Sequence, residues 1–466
     1  MIYSISRKLH SDFSLFEENK LQARSWFIPF SSEDVLSESD YKNERYVSDR
    51  IQILSGDWDF KYYSRLSDIP EKFNTETETF DKAIVPSTWQ RTGYDQIAYI
   101  NTRYPFPKKP PHIPKDVATG IYRKTFSING SFERRILSFL GVAGAMALYI
   151  NGKYVGYSEG SHNTADFDVT SFLTDGENEL LVVNYKWSNG SYLECQDMFR
   201  ENGIFRDVFI IAQKQNRIND FLLRPKKNSD GTYSLVIDVK GDFSCNAGVT
   251  VECKGLFEET AINGKALINS LSVEEWTAET PKLYEVIFRV KNGSETDEII
   301  RTYIGFRDIR IDGEVFRFNE KTIKLIGANH HDTHMTKGYA MSLDDLELDV
   351  RLMKEYNCNC VRTSHYPPDP VFLTMCDFYG LYVVDEADIE THGFYATPGT
   401  YRPNRLSNNL KWAPRYLDRV SRMYERDKNH PSVTMWSLGN ESGGWKNHDE
   451  CCRQLKAVTD IPVHYE

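Results

Sequence analysis

The sequence lacks the signals that mark metal-cluster, secreted or membrane-spanning proteins. It contains eight cysteines but no CxxC pair and no zinc-ligand spacing, so we expect free thiols in a reducing compartment. The first residues, "MIYSISRKLHSDFSLFEENK", contain no uninterrupted apolar segment of the kind a signal peptide needs. No stretch is long and apolar enough to cross a membrane. We therefore predict a cytoplasmic protein with no membrane partner.

A strong positive charge is also missing. The formal net charge is −11, and both signs are mixed along the chain, which argues against nucleic acid as the main partner. Hydrophobic residues make up 40% of the chain and aromatic residues 13%, which supports a sizeable core. The 466 residues are too many for one ordinary core, so we expect two to four domains. The aromatic content suits sugar binding, because ring faces stack on C–H faces, although aromatic residues fill cores more often.

Residues 130–310 show no helical period of useful length and consist of short apolar runs separated by turn residues. "ALYINGKYVGYS" contains two alternating runs around Asn151-Gly152, a strong hairpin signal. "GIFRDVFIIAQ" is typical of a buried strand and closes a region near residue 213. Further strands, with a turn at Asp230-Gly231, continue to about residue 310. We predict two β-sandwiches, the second of roughly 100 residues.

After residue 315 predicted strands alternate with predicted helices. Strands are expected at "TIKLIGAN", "CNCVRTSH", "LYVVDEAD", "SVTMWSLGNE" and "PVHYE". Ser342 and Asp345 resemble a capping box, and Asp369-Pro370 begins a helix that stops at Gly380. The alternation predicts a parallel α/β sheet, either a (β/α)8 barrel or an open doubly wound sheet. No GxGxxG motif follows the first strand, which disfavours dinucleotide binding.

Four successive strands end in polar residues of the kinds that chemistry uses. A polar surface loop would explain any one of these ends, but it explains four in succession poorly. In a barrel, the carboxyl ends of the strands carry the active site. The residues are Asn329, His330, His331 and Asp332; Arg362, Ser364 and His365; Asp385, Glu386, Asp388, Glu390 and His392; and Asn440 and Glu441.

Glu390 and His392 lie two residues apart, so in extended chain their side chains point to the same side. Together with Glu441 they would form an oxygen-rich site that suits Mg²⁺ or Mn²⁺. A solvated Glu–His pair is the alternative, and spacing alone does not decide between the two. "WSNGSYLECQDMFR", Trp187 to Arg200, combines charged and aromatic residues inside a predicted sandwich and indicates either an interface or a ligand site.

Two further segments carry a resemblance to a known family. "GLYVVDEADIETHG" and "NHPSVTMWSLGNESG" resemble the two signature regions of the β-galactosidases of glycoside hydrolase family 2. "VPSTWQRTGYDQIAYINTRYPF" resembles the N-terminal signature of that family, and "VRTSHYP" is shared with the related β-glucuronidases. The likeness covers almost the whole chain, and "ETHG" with "SLGNESG" favours galactosidase.

The resemblance implies three domains. Residues 1–213 would form a jelly-roll sugar-binding domain with an N-terminal extension, and residues 214–312 an immunoglobulin-like β-sandwich. Residues 313–466 would form the first half of a (β/α)8 TIM barrel, incomplete in this chain. Family members are often homo-oligomers, so the resemblance also implies a homo-oligomer.

The resemblance implies retaining hydrolysis of terminal β-D-galactose from β-galactosides such as lactose. Glu441 would be the acid/base, and Asn440 would contact the sugar 2-hydroxyl. Mg²⁺ (or Mn²⁺) would be held by Glu390, His392 and Glu441. The transition state would be stabilised by His331 and His365. Galactose would be bound by two residues of the first domain, Asn101 and Asp197, with Asp197 also a Na⁺ ligand. "NHHDTHM" replaces the usual Asn-Arg-His-Glu, so the role of His331 depends on alignment through Asn329.

Retention requires a second carboxylate, about 5–5.5 Å from the acid. In the family it comes from the end of the seventh strand, whereas this chain stops at Glu466, in the fifth. We therefore expect that the remainder of the enzyme, or a complementing subunit, supplies the nucleophile and that the chain alone is inactive. A β-glucuronidase-like hydrolase would need a site for the substrate carboxylate. A non-catalytic carbohydrate-binding protein with a vestigial barrel would explain the missing nucleophile.

Overall fold

A computed structural model of the chain describes residues 1–128, 130, 132–395 and 406–466. Its strands form two antiparallel sandwiches followed by an open parallel sheet. The predicted succession of two β-sandwiches and a parallel α/β region is confirmed. None of the described helices is long and apolar enough to span a bilayer.

The first sandwich packs a seven-stranded sheet against a four-stranded sheet. Apolar side chains from both sheets, among them Trp58, Phe139 and Leu148, share one buried core. In spatial order the larger sheet contains Glu17–Glu18, Lys153–Glu159, Ala145–Ile150, Gly176–Tyr185, Thr119–Ile128, Gly56–Tyr63 and Asp81–Val85. The smaller contains Ala165–Asp168, Arg134–Phe139, Val208–Gln213 and Ile51–Ile53. Three short pairs complete it: Ile2–Ser4 with Lys72–Asn74, Val142–Ala143 with Gly203–Ile204, and Ala98–Ile100 with Met198–Arg200.

The hairpin predicted at Asn151-Gly152 is present. Ala145–Ile150 and Lys153–Glu159 pair antiparallel on either side of it. Both turn residues have positive φ, 50° and 79°, which is the backbone of a type I′ turn. This turn matches the right-handed twist of the two strands and therefore sets their register.

The second sandwich draws one strand from the N-terminal extension. Pro29–Phe30 pairs with Glu295–Ile304 at the edge of its larger sheet, so the extension contacts both sandwiches. Proline is tolerated there because an edge strand leaves one row of backbone groups unpaired. The larger sheet contains Phe257–Ala261, Ala247–Cys253, Tyr284–Asn292, Glu295–Ile304 and Pro29–Phe30, and the smaller Arg217–Lys227, Tyr233–Asp242 and Lys265–Leu271.

The parallel sheet has five described strands in sequential spatial order. A doubly wound sheet would reverse its order at a switch point, so the order observed is that of a barrel. The strands are Gly327–Asn329, Cys360–Arg362, Tyr382–Glu386, Val433–Ser437 and Val463–His464. A small antiparallel sheet of Ile309–Asp312, Val315–Phe318 and Lys321–Thr322 precedes them.

Two barrel helices begin where the sequence signals predict. The Ser342 side chain accepts a hydrogen bond from the Asp345 backbone N–H. The Asp345 carboxylate accepts one from the Ser342 backbone N–H, which confirms the capping box. Asp369 caps the next helix, which Gly380 ends in the left-handed region, at φ 78°. The barrel helices are Leu343–Glu355, Pro370–Tyr379, His392–Tyr395, Ala413–Asp427 and Lys446–Lys456. Short helices that the sequence analysis missed are Glu33–Ser37 and Glu44–Val47, with 3-10 turns at Leu9–Ser11, Leu66–Asp68, Thr170–Phe172, Asn189–Leu193 and Leu410–Trp412.

A row of buried arginines on Ala413–Asp427 joins the barrel region to the N-terminal part of the chain. The spacing of three or four residues places all four on one side of the helix: Arg415, Arg419, Arg422 and Arg426. Arg415 donates hydrogen bonds to Glu159 and to the backbone carbonyl groups of Phe13 and Leu15. Arg422 donates to Glu17 and to the backbone carbonyl of Leu21. The N-terminal extension is thus held against the barrel by charge-assisted bonds.

His430, just after the helix Ala413–Asp427, forms a largely buried ion pair with Asp377 of the helix Pro370–Tyr379. His430 Nδ1 lies 2.6 Å from Asp377 Oδ2, and Asp377 Oδ1 accepts from the backbone N–H of Ser432 at 2.9 Å. Burial disfavours the charged imidazole, but the Asp377 carboxylate outweighs it and raises the pKa of His430 above its ordinary value. The pair therefore stabilises the fold fully below the ordinary pKa of about 6.5, and this contribution is lost as pH rises through the raised pKa.

We predict that His430→Gln lowers the melting temperature by about 2–5 °C at pH 6 and by less at pH 9. The measurement is thermal unfolding of both proteins followed by circular dichroism. His112→Gln is the matched control, because the His112 residue is exposed, and it should change little at either pH. A loss at pH 9 that equals or exceeds the loss at pH 6 would contradict the ion pair.

Candidate active site

The candidate site lies where a segment of the first sandwich meets the ends of the barrel strands. The Glu390 backbone N–H donates to the Leu193 carbonyl at 2.6 Å, and the Cys195 N–H donates to the Glu390 carbonyl at 3.0 Å. On the other side, the Asn440 N–H donates to the Ile389 carbonyl at 2.8 Å. Residues 193–195 therefore act as an extra parallel strand beside Glu390. The stretch from Trp187 to Arg200 is an interface as well as a candidate ligand segment.

Asn440 and Glu441 are adjacent in sequence but differ in environment. Asn440 is buried; its amide donates to Glu390 Oε2 at 2.7 Å, and its carbonyl accepts from Arg362 at 2.9 Å. The Glu441 side chain is 42% exposed. Gly439 makes this turn possible, since its φ is 116° and a Cβ there would lie 2.4 Å from the Ile389 carbonyl oxygen. The strand tip thus aims one carboxylate outward beside a fixed amide.

Glu390, His392 and Glu441 come together as the sequence analysis predicted. One ligand atom from each lies within 4.8 Å of the others. His392 Nδ1 is 2.6 Å from Glu441 Oε2 and 3.8 Å from Glu390 Oε1. His392 begins a short helix and is not in extended chain as the spacing argument assumed, yet its ring still reaches both carboxylates.

The donor set fits a hard divalent cation. Glu390 Oε1 is buried and accepts no hydrogen bond from the described residues. Burial raises the pKa of Glu390 to about 8, although the hydrogen bond from Asn440 opposes this shift. A buried carboxylate oxygen with no donor is costly unless a cation compensates it. Two carboxylates and one imidazole match Mg²⁺ or Mn²⁺ better than zinc, which prefers more nitrogen or sulfur.

His331 and His365 face each other with ring centroids 5.5 Å apart, edge to face. His365 Nδ1 lies 2.6 Å from Glu386 Oε1, and the same carboxylate accepts from Arg362 at 2.8 Å and from Ser437 at 2.6 Å. Burial disfavours the ionised form of Glu386, but the effect of these hydrogen-bond partners is larger, so the pKa of Glu386 is lowered. Burial, and then the proximity of His365, lowers the pKa of His331 to about 4.

Asn101 and Asp197 lie close together on the sandwich side of the site. The strands Ala98–Ile100 and Met198–Arg200 pair, so the two residues flank the same short ladder. Both are exposed, and the Asp197 carboxylate accepts from the Tyr99 hydroxyl. The metal-binding group found among the described residues does not include Asp197. The roles of Asn101 and Asp197 in galactose binding, and of Asp197 in Na⁺ binding, stay predictions.

Sequence reasoning listed Asp388 among the polar strand ends but did not predict the buried network around it. Asp388 accepts from Gln196 at 2.8 Å, contacts His162 Nδ1 at 3.2 Å and lies 3.3 Å from Arg419. Arg419 also donates to Glu194 at 2.7 Å. Asp388 and Glu194 were visible as charged residues in notable segments. His162 carried no signal, because an isolated histidine in a strand-rich region has no spacing partner.

Solved structures with the same fold are glycosidases. The β-D-glucuronidase of Dictyoglomus thermophilum superposes with a TM-score of 0.71 at 21% identity, covering 89% of this chain and 72% of that one. The β-glucuronidase of Ruminococcus gnavus, in complex with D-glucaro-d-lactam, gives 0.72 at 19% identity over 89% and 71% of the two chains. A β-glycosidase from Bacteroides vulgatus gives 0.71 at 20% identity over 89% and 54%. At these identities the likeness concerns the fold.

Curated relatives share more of the sequence. The β-galactosidase of Alteromonas mediterranea is 38% identical over 444 residues, 89% of this chain and 42% of that protein. The β-galactosidase of Pectobacterium atrosepticum is 38% identical over 449 residues, 90% and 42% of the two chains. The chain therefore spans about two fifths of the length of these relatives.

Family models match three consecutive parts of the chain. Residues 51–214 match the sugar-binding domain of the glycosyl hydrolases family 2, and residues 216–307 match a second domain of that family. Residues 309–466 match its TIM barrel domain. With two sandwiches, sequential parallel strands and paired carboxylates at the strand ends, the chain belongs to glycoside hydrolase family 2.

Proposed function

We propose that the protein is a retaining β-galactosidase that cleaves terminal β-D-galactose from β-galactosides such as lactose. The observation that carries this proposal is the partly exposed Glu441 carboxylate beside the buried Asn440 amide. The 38% identity to proteins named β-galactosidase over 89–90% of this chain supports the galactoside substrate. Cytoplasmic location and homo-oligomeric assembly are further proposals, made on the sequence arguments above.

Glu441 acts as the acid/base in this proposal. A glycosidic oxygen is a poor leaving group and needs a proton as its bond breaks. Glu441 lies 2.6 Å from His392 and beside the buried Glu390 carboxylate, at a strand tip that a rigid sheet supports. Its partial exposure leaves the side chain accessible to substrate. Asn440, held by Glu390 and Arg362, presents a fixed amide to the 2-hydroxyl of the sugar.

Glu390, His392 and Glu441 would hold Mg²⁺ or Mn²⁺. When bound, the cation supplies positive charge that keeps the buried Glu390 carboxylate ionised and stabilises negative charge in the site. The residues of the chain supply the rest: the Asn440 amide orients Glu390 by a hydrogen bond, and the His392 ring lies 2.6 Å from Glu441. His331 and His365 would hydrogen bond to the galactosyl ring, and Asn101 and Asp197 would bind galactose from the sandwich side, Asp197 with Na⁺.

The second carboxylate of a retaining site is proposed to come from outside residues 1–466. Retention needs two carboxyl groups about 5–5.5 Å apart. Glu390 is close enough to Glu441, but it is buried, shares the predicted cation site and bonds Asn440. The relatives are more than twice as long as the matched region, which leaves room for a nucleophile elsewhere.

A β-glucuronidase-like activity is the second candidate, favoured by the fold likeness to two glucuronidases. Such an enzyme needs a cation for the substrate carboxylate. Arg362 is an arginine beside Asn440 at the predicted sugar site, and it already bonds Glu386, Asn440 and Glu466. Comparing galactosides and glucuronides with the same leaving group would separate the two activities.

We predict that Glu441→Gln in the complete protein lowers kcat for alkyl galactosides by about 10²–10⁴-fold. Aryl galactosides with good leaving groups should lose much less, because they need less protonation. Steady-state kinetics on both substrate types test this, with Glu355→Gln as control, since Glu355 lies exposed on a helix away from the strand ends. Equal losses on both substrate types would contradict the acid role.

A second prediction concerns the metal. The chain should bind Mn²⁺, read by electron paramagnetic resonance, and Mg²⁺ should compete for the same site. Glu390→Gln should weaken binding by about 100-fold, because it removes the charge of a buried ligand. Glu355→Gln should leave binding unchanged. Chelation should slow the complete enzyme and Mg²⁺ should restore it, whereas indifference to EDTA together with no Mn²⁺ binding would remove the metal site.

A third prediction concerns the nucleophile. The purified chain 1–466 should not turn over lactose, and a fluorinated-sugar trap should leave no galactosyl adduct detectable by mass spectrometry. The complete protein is the control and should be labelled. Turnover by the 466 residues alone would mean that a carboxylate in this chain, such as Glu390, acts as the nucleophile.

A further inference from the structure

Tyr366 is a buried residue that connects the sandwich interface to His331. Its side chain is 2% exposed and packs in a cluster with Ala143, Met198, Phe205 and Tyr339. The His162 ring stacks on the Tyr366 ring, with centroids 3.7 Å apart and planes 8° from parallel. The docked first sandwich therefore fixes the plane of the Tyr366 ring.

The Tyr366 hydroxyl has a single hydrogen-bond partner among the described residues. This partner is His331 Nδ1, at 3.2 Å. A buried hydroxyl proton without an acceptor costs free energy, so the proton must point to Nδ1. Burial raises the pKa of Tyr366 well above its ordinary value, so the hydroxyl keeps that proton. His331 Nδ1 is then the acceptor of this bond.

The acceptor role of Nδ1 determines where the His331 ring carries its own proton. Burial and the nearby rings of His365, His330 and His162 keep His331 neutral. A neutral imidazole has one N–H, so with Nδ1 accepting, the proton lies on Nε2. No described residue hydrogen bonds to Nε2 of His331. This atom is also not one of the fully buried side-chain atoms that lack a hydrogen-bond partner.

His365 has the opposite arrangement. Its Nδ1 lies 2.6 Å from Glu386, which is an ionised acceptor bonded also by Arg362 and Ser437. Nδ1 of His365 must therefore donate, which leaves Nε2 as an acceptor whenever this ring is neutral. The two rings, 5.5 Å apart, would offer a donor and an acceptor to neighbouring hydroxyl groups.

We infer that Tyr366 is a positioning residue that holds His331 as a neutral ring with its proton on Nε2, ready to donate to a substrate hydroxyl. The substrate part of this inference depends on the proposed function, whereas the position of the proton does not. Its basis is one buried hydroxyl, one acceptor and a ring held by stacking from the other domain.

The first test reads the tautomer without activity. In the 466-residue chain labelled with ¹³C-histidine, the Cδ2 resonance missing in His331→Ala identifies His331, and its shift distinguishes the Nε2–H from the Nδ1–H form. We expect the Nε2–H form in the wild type and a shift toward Nδ1–H in Tyr366→Phe. Tyr339→Phe, which removes a buried hydroxyl from the same cluster, should leave the His331 signal unchanged. An unchanged signal in Tyr366→Phe would overturn the inference.

The second test is a double-mutant cycle in the complete protein. Tyr366→Phe should lower kcat/KM about tenfold when His331 is present, and by less than about twofold in His331→Ala. Tyr339→Phe should change kcat/KM by the same factor whether His331 is present or replaced by alanine. Equal factors for Tyr366→Phe would show that it does not act through His331. Absence of galactoside hydrolysis altogether would reject the proposed function, and the carbon-13 measurement would still decide the role of Tyr366.

Discussion

The backbone pairing of Glu390 with residues 193–195 is the contact on which the candidate site depends. It places a segment of the sugar-binding sandwich directly against the end of a barrel strand. The pairing satisfies backbone groups that would otherwise be buried without partners. It also removes the Glu390 carboxylate from water, so one oxygen accepts from the Asn440 amide and the other accepts no hydrogen bond from the described residues.

Burying so many charges at one interface requires partners of opposite sign. Arg419 contacts Glu194 of the sandwich and Asp388 of the barrel, and Arg415 contacts Glu159 and the N-terminal extension. Buried ion pairs add little net stability, but removal of one partner is costly because the other charge stays buried. We therefore expect the arginine row to specify one docking geometry more than to increase stability. That geometry positions Tyr366 and, through it, His331.

The glutamates of the candidate site differ in their exposure to solvent. Glu386 and Glu390 are fully buried and act on neighbouring side chains, whereas Glu441 reaches solvent beyond Gly439. A carboxylate that must exchange a proton with substrate needs access, and carboxylates that orient other groups need fixed partners. This difference between neighbouring glutamates is the physical basis for giving the acid role to Glu441.

Local signals in the sequence determined the elements of this fold. The Asn151-Gly152 turn, the Ser342–Asp345 capping box and the strand–helix alternation after residue 315 each depend on residues close in the chain, and each is present. The same signals placed Glu390, His392 and Glu441 at strand ends. Only the tertiary structure decided that residues 193–195 pair with Glu390, that His162 stacks on Tyr366 and that Pro29–Phe30 joins the second sandwich. These contacts join residues far apart in sequence, and their energies come from burial and from charges that meet only after the domains dock, which no local spacing records.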